Sequence, residues 1–304
     1  MESVIEYSKA FYSKPLIFCL SCSNGIPIEH QIWFEYFEGR RSICPHCSIE
    51  YDWHTVIKEN LQSINFSSVI LAPVGAYQTI IREKLRVGEQ LVVDFRKNGI
   101  PEDSKIIDVN YVTVGGNVFP IELRGNIPNS FEYSSQVTLQ PITFSNSAKE
   151  EESELNISIT WVPGGANDES WSSLGSAFES FLKKNYKGCI IPANVAVESK
   201  LAGLLSKYLR KIVSNEKAKT FLENGASYSH QLNVVLPIIN HERKIAGLNE
   251  SLLGKLNRLR KLRNEIGHEG KTISVLDKLE VADLLSAALL GFHYLKLLEE
   301  KLDI

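Results

Sequence analysis

Cys19-Leu20-Ser21-Cys22 and Cys44-Pro45-His46-Cys47 make two C-x-x-C pairs separated by 21 residues, and nothing else constrains the fold of this chain as strongly. Each pair lets two sulfurs reach one metal from a tight turn, and two pairs complete a tetrahedral shell. Reduced thiols in a cytosolic chain favour metal over disulfides. Four thiolates leave no coordination position open, so the expected ion is a structural Zn2+ held by Cys19, Cys22, Cys44 and Cys47, with no catalytic metal. His46 and His54 are substitute ligands in principle, but the cysteine set is already complete. Ile26 to Tyr36 has the length for a hairpin between the pairs. Trp33, Phe34, Tyr36 and Phe37 read chiefly as a small core around the metal. The alternative is a surface, with Arg40 and Arg41, that grips nucleic acid or protein. Residues 1–62 are read as a zinc ribbon whose metal governs the fold of that segment. Cys189 stands apart and reads as a small buried hydrophobe.

With 304 residues, 43% hydrophobic and 23% charged, the chain is long enough for two or three globular domains. No apolar run reaches membrane-span length and no signal-peptide pattern opens the sequence, so a cytoplasmic protein without a membrane partner is expected. Net charge is −3, but from Ser170 onward 20 Lys+Arg face 14 Asp+Glu, leaving the excess of acid in the first part. Such asymmetry points to a polyanionic partner for the C-terminal part.

Between about Phe66 and Trp161 the pattern changes to short β-branched runs. Strands are expected at Ser67–Val74, Gln90–Phe95, Lys105–Val114, Asn117–Leu123, Gln136–Phe144 and Leu155–Val162, with turns at Asn98-Gly99 and Gly115-Gly116. Ile157, Ile159 and Trp161 alternate with polar residues, as in a half-buried strand. Residues 63–165 are therefore read as a β-sandwich-like domain with no evident chemistry. Glu150-Glu151-Glu152 reads as a solvated loop tip, and Pro163 to Asp168 as a linker with Asp168 as an N-cap.

Helical periodicity dominates 168–304. Helices are expected over Ser170–Tyr186, Ala193–Val213, Asn215–Glu223, Tyr228–Ile245, Glu250–Ile266 and Ser274–Leu302. Gly188, Gly225 and Gly247 serve as stops, Pro192 as a start and Asn249 as an N-cap. Pro237 should kink or open its helix unless it marks a fresh start. The last helix is apolar around much of its circumference and should lie centrally or be shared with another subunit. The fold class is thus multidomain α+β.

Leu252, Leu256, Leu259, Leu262 and Ile266 form one apolar face, and Arg263 falls within it. A desolvated arginine needs a partner or a task. The stretch Arg263-Asn264-Glu265-Ile266-Gly267-His268 reads R-N-x-x-x-H, and it resembles the motif of the HEPN superfamily. The resemblance covers roughly Ser170 to Ile304. It implies an all-α bundle that dimerises, and a metal-independent endoribonuclease of toxin or phage-defence type. By that resemblance Arg263, Asn264 and His268 are catalytic. Lys255, Arg258, Arg260 and Lys261 would steer RNA, and Glu198 would support Arg263 as a salt-bridge partner. RNA, a second copy of the chain and a phage-derived or cellular trigger are the implied partners. The alternative is a non-catalytic HEPN-like module for dimerisation and binding, with Arg263 at an interface and His268 capping its helix. Residues five apart on a helix differ by roughly 140°, so Arg263 and His268 converge only if the helix breaks near Gly267 or a second subunit completes the site.

Overall fold

The computed structural model describes residues 4–7, 16–27, 35–61, 77–122, 135–143, 152–162, 169–268 and 276–304. The chain divides into two compact units: Met1–Lys14 with Val74–Ala166, and Pro15–Pro73 with Asn167–Ile304. The expected strand at Ser67–Val74, Trp33, Phe34 and the Pro163 to Asp168 linker lie outside the described residues.

The first unit is built from β1 (Val4–Tyr7), β6 (Tyr77–Arg86), β7 (Leu91–Asp94), β8 (Lys105–Gly115), β9 (Val118–Glu122), β10 (Gln136–Thr143) and β11 (Glu152–Val162). Four strands form one antiparallel sheet in the order β1-β6-β11-β8, and three form another in the order β7-β10-β9. β11 lies between β6 and β8, with Ile157 opposite Ile81 on one side and Tyr111 on the other. Leu155, Ile157, Ile159 and Trp161 are buried on one face, as period-two alternation requires. Together with Val93, Val118, Val137 and Leu139 of the second sheet, they form one core.

β6 was not expected as a strand. Its sequence YQTIIREKLR carries four charged residues in ten, and Ile81 with Leu85 also fits helical spacing. Pairing on both sides decides the matter, burying Thr79, Ile81 and Leu85. Glu152 is likewise the first residue of β11, not a loop tip, and its carboxylate meets Lys84 and Arg86 of β6. Inside the core, Trp161 Nε1 donates to Thr79 Oγ1 at 2.9 Å. Trp161→Phe should cost about 1–3 kcal/mol by stranding that hydroxyl, read as a lower denaturation midpoint at unchanged slope.

The second unit joins the cysteine segment to the helices. β2 (Leu16–Phe18) pairs with β3 (Gly25–Pro27), and β4 (Ser42–Ile43) with β5 (Glu50–Tyr51). α1 (Trp53–Leu61) follows, with Asp52 accepting from Thr55 N at 2.8 Å as its cap. Then come α2 (Glu169–Leu182), α3 (Tyr186–Arg210), α4 (Asn215–Thr220), α5 (Tyr228–His230), α6 (Leu236–Arg243), α7 (Glu250–His268) and α8 (Lys278–Leu302).

α3 starts well before Ala193. Asn185 caps it by accepting from Gly188 N, so Gly188 lies inside the first turn instead of stopping a helix, and Pro192 sits within the helix. Pro237 stands in the first turn of α6, where its missing N–H costs least, and a π-helical stretch, Gln231–Val235, precedes it. Asn249 caps α7, accepting from Leu252 N at 2.8 Å.

α8 is buried from Val281 to Leu295 apart from Asp283. α3 and α8 are long and apolar enough to cross a bilayer by length and composition, although charged residues such as Glu198, Lys200, Asp283 and Lys296 interrupt their apolar runs. In α8, however, 89% of the most apolar stretch is buried inside the unit, as in a core helix. Lys200 of α3 reaches Glu299 of α8 at 2.7 Å.

Candidate functional site

The two cysteine pairs adopt one backbone design twice. Ser23 N donates to Cys19 O and Cys19 N to Asn24 O; Ser48 N donates to Cys44 O and Cys44 N to Ile49 O, all at 2.9 Å. Ser23 and Ser48 both take the left-handed conformation, with φ of 58° and 61°. Each pair thus sits at the turn of a two-stranded hairpin, which brings its sulfurs to one side. Cys19 Sγ lies 3.8 Å from Cys47 Sγ, and Cys22 Sγ lies 3.8 Å from Cys44 Sγ. All four sulfurs fall within 4.8 Å of one another. A tetrahedron with metal–sulfur bonds of about 2.3 Å has edges of about 3.8 Å, so the set fits one metal such as zinc.

Backbone amides of Cys22 and Ser21 hold the Cys19 thiol down at about 6, while burial works against them. Cys47 moves the other way: a backbone bond from Ile49 lowers it, but burial and the three neighbouring thiols push it up to about 11, so a bound metal would be what ionises the whole set. His46 is not a ligand. It is exposed, and its Nε2 donates to Gly25 O at 3.1 Å, tying the second hairpin to the first. Arg40 pairs with Glu35 and Glu38, and Arg41 with Glu50, so these arginines are neutralised within the segment. Phe37 packs edge-on against Tyr294 of α8, with ring centres 5.1 Å apart. Cys189 is buried, donates to Asn185 O, and has its thiol pushed up to about 12 by burial.

α7 carries the other cluster. Leu252, Leu256, Leu259 and Leu262 are buried, and Arg263 is half-buried on the flank of that face. The guanidinium donates from Nη1 to Asn264 Oδ1 at 3.0 Å and lies 3.9 Å from Glu198 Oε2 of α3. Asn194, one turn before Glu198, donates from Nδ2 to the same carboxylate oxygen at 3.0 Å. Arg263, Asn264 and Glu198 are therefore brought together. α7 continues through Gly267 to His268 without a break, so helix breakage does not bring His268 to Arg263. The His268 side chain lies outside the described residues.

The basic residues of α7 do not form one patch. Lys255 pairs with Asp283 of α8 at 2.5 Å and Arg258 with Glu280 at 3.3 Å. Lys261 is exposed. Arg260 is half-buried, and its enclosed Nε makes no hydrogen bond.

Sequence reading did not single out Asn194, Tyr228 or Asp283. Asn194 is 1% exposed within an apolar helix, four residues before Glu198, and that spacing was the available signal. Burial pushes the Tyr228 phenol well above its ordinary range; Glu198 adds to the shift and Arg260 opposes it. Tyr228 thus shares the field of the Arg263 cluster.

His54, on α1, is held below its ordinary 6.5 chiefly by burial, although the Asp283 carbonyl and charge oppose the shift. The unfolded chain then takes up a proton near 6.5 that the folded chain resists. Stability of this unit should fall as pH drops below 6.5, levelling off beneath the folded value. His54→Gln should flatten that slope in urea titrations at pH 7 and pH 5.5; an unchanged slope would contradict the assignment.

No family model matches the chain, and neither a curated protein nor a solved structure does.

Proposed function

We propose that the helical part of this chain is a HEPN-like, metal-independent endoribonuclease acting in the cytoplasm. The observation that carries the proposal is the R-N-x-x-x-H stretch at the end of α7, with a half-buried Arg263 braced by Asn264 and Glu198. The ribose 2′-OH attacks the adjacent phosphorus, losing its proton to a general base. The bond from phosphorus to the 5′ oxygen breaks, and that oxygen takes a proton. The products are a 2′,3′-cyclic phosphate and a 5′-OH. His268 serves as base or acid, since imidazole titrates near operating pH. Arg263 binds the phosphate and offsets the charge that builds in the transition state. Neighbouring 2′-OH and phosphate need no metal to bring them together.

In this reading the cysteine segment is a zinc ribbon and the β unit is sandwich-like. Together they sense or restrain a toxin or phage-defence nuclease that answers a phage-derived or cellular trigger. The unbroken α7 favours a site shared by two copies, because one straight helix points Arg263 and His268 about 140° apart. The full chain should therefore run as a homodimer in light scattering at micromolar concentration, and a monomer that cleaves at full rate would refute the shared site. Cleavage should proceed without added divalent cations in protein that retains its zinc, and its products should carry cyclic phosphate ends. Activity that requires magnesium would refute the mechanism.

A second reading has a specific observation behind it. Lys255, Arg258 and Arg263 all meet carboxylates of neighbouring helices, as they would in a non-catalytic HEPN-like module for dimerisation and binding. An RNA complex that forms without any cleavage would favour it.

A further inference from the structure

We propose that the four-cysteine centre regulates the motif helix: the ligand state of the sulfurs sets the order of α7 through α1 and Asp283. This rests on the ribonuclease reading only in calling α7 the motif helix.

The chain of contacts is continuous within the second unit. Only Asp52 separates the end of β5 from Trp53, so the second knuckle runs directly into α1. Asn60, on the last turn of α1, grips the first knuckle as well. Its Oδ1 accepts from Phe18 N and its Nδ2 donates to Phe18 O, both at 3.0 Å, at the residue preceding Cys19. α1 is therefore tied to both halves of the ligand set, and its position depends on their being held together.

α1 reads out on α8. Trp53, Val56, Ile57 and Leu61 are buried, and His54 Nε2 donates to the Asp283 carbonyl at 2.9 Å. A carbonyl can only accept, so that nitrogen carries the proton. The Asp283 carboxylate lies 3.7 Å from the same imidazole and receives Lys255 Nζ of α7 at 2.5 Å. Asp283 is thus the residue on which the metal-side helix and the motif helix both close, and it is the one position from Val281 to Leu295 that is not buried. About two turns past Asp283, α7 and α8 approach closely: a Cβ on Gly291 would lie 3.1 Å from Leu256 Cδ1. A displacement of α8 at Asp283 has little room to be absorbed before it reaches α7.

A relaxed four-thiolate cluster does not hold its shape. Without a cation, sulfurs 3.8 Å apart are joined only by weak thiol contacts, and the two hairpins are too small to stay folded by burial alone. Loss of the ion should release α1, remove the His54 contact, and loosen the Lys255 anchor of α7.

The test is hydrogen exchange of the full chain, zinc-loaded, stripped by chelation with zinc content checked, and reloaded with Zn2+. No RNA is present, so the result is independent of whether the protein cleaves RNA. Stripping should speed exchange in both α1 and α7 by about tenfold, leave the Leu201 to Tyr208 part of α3 protected, and reverse on reloading. Asp283→Ala should loosen α7 in the loaded protein and abolish its further response to zinc. Lys255→Met, which spares α1 and α8, should do the same should the Asp283 variant fail to fold. Loosening of α1 with α7 unchanged would overturn the proposal. Equal loosening of every helix, or of none, would overturn it too.

Discussion

His268→Ala should lower RNA cleavage by at least about 10²-fold, the usual loss when a general acid or base is removed. Arg263→Ala should cost a similar or larger factor, because the guanidinium binds the phosphate as well as offsetting its charge. Arg263→Lys should restore little, since lysine cannot make the two-pronged contact. Glu198→Gln keeps the shape but removes the charge 3.9 Å from the guanidinium, and it should cost less than either. Rates on a short RNA under single-turnover conditions check the whole series. A His268→Ala protein that cleaves at the wild-type rate would remove the basis of the mechanism.

Cys44→Ser should cause the largest loss of stability in the chain. Cys44 is 1% exposed and its sulfur lies 3.8 Å from that of Cys22, so a hydroxyl there leaves a three-thiolate shell in a closed site. Structural zinc contributes roughly 10–16 kcal/mol to small peptides that fold around it, comparable to the whole stability of an ordinary domain. Bound zinc should fall from about one per chain towards none. Limited proteolysis should then cut the cysteine segment first and reach α1, because Trp53 and Ile57 are buried only while α1 stays seated. Retention of zinc together with full protease resistance would contradict the metal assignment.

The same residues explain what the sequence could and could not reveal. Four cysteines in two equal knuckles were legible because ligand spacing is local, and so was β11, whose alternation serves one buried face. α7 and α8 were legible through leucine periodicity. β6 was not, because Ile81 and Leu85 satisfy two periods and only pairing with β1 and β11 chooses between them. The start of α3 was misplaced because Pro192 is a strong local signal, whereas the cap at Asn185 is a side-chain contact that composition does not display. Of the site, Arg263 with Asn264 could be read from the motif, and Glu198 from its place on an apolar helix. Asp283 could not be, since its meaning lies in two helices that reach it from distant parts of the chain. The basic residues of α7 looked like one patch in sequence. Lys255 and Arg258 instead turn toward α8, a direction that spacing alone does not assign.

If one site is assembled from two copies of α7, mixing two inactive variants should restore cleavage. Arg263→Ala lacks the guanidinium and keeps the imidazole, while His268→Ala has the reverse. A heterodimer of the two contains one site with both groups if Arg263 of one copy works with His268 of the other. Random re-pairing of equal amounts should therefore restore roughly a quarter of wild-type cleavage, far above either variant alone. Subunit exchange can be confirmed beforehand with differently tagged chains. If the exchanged mixture stays as inactive as its components while the wild type cleaves, the two groups act within one subunit and the shared site is wrong.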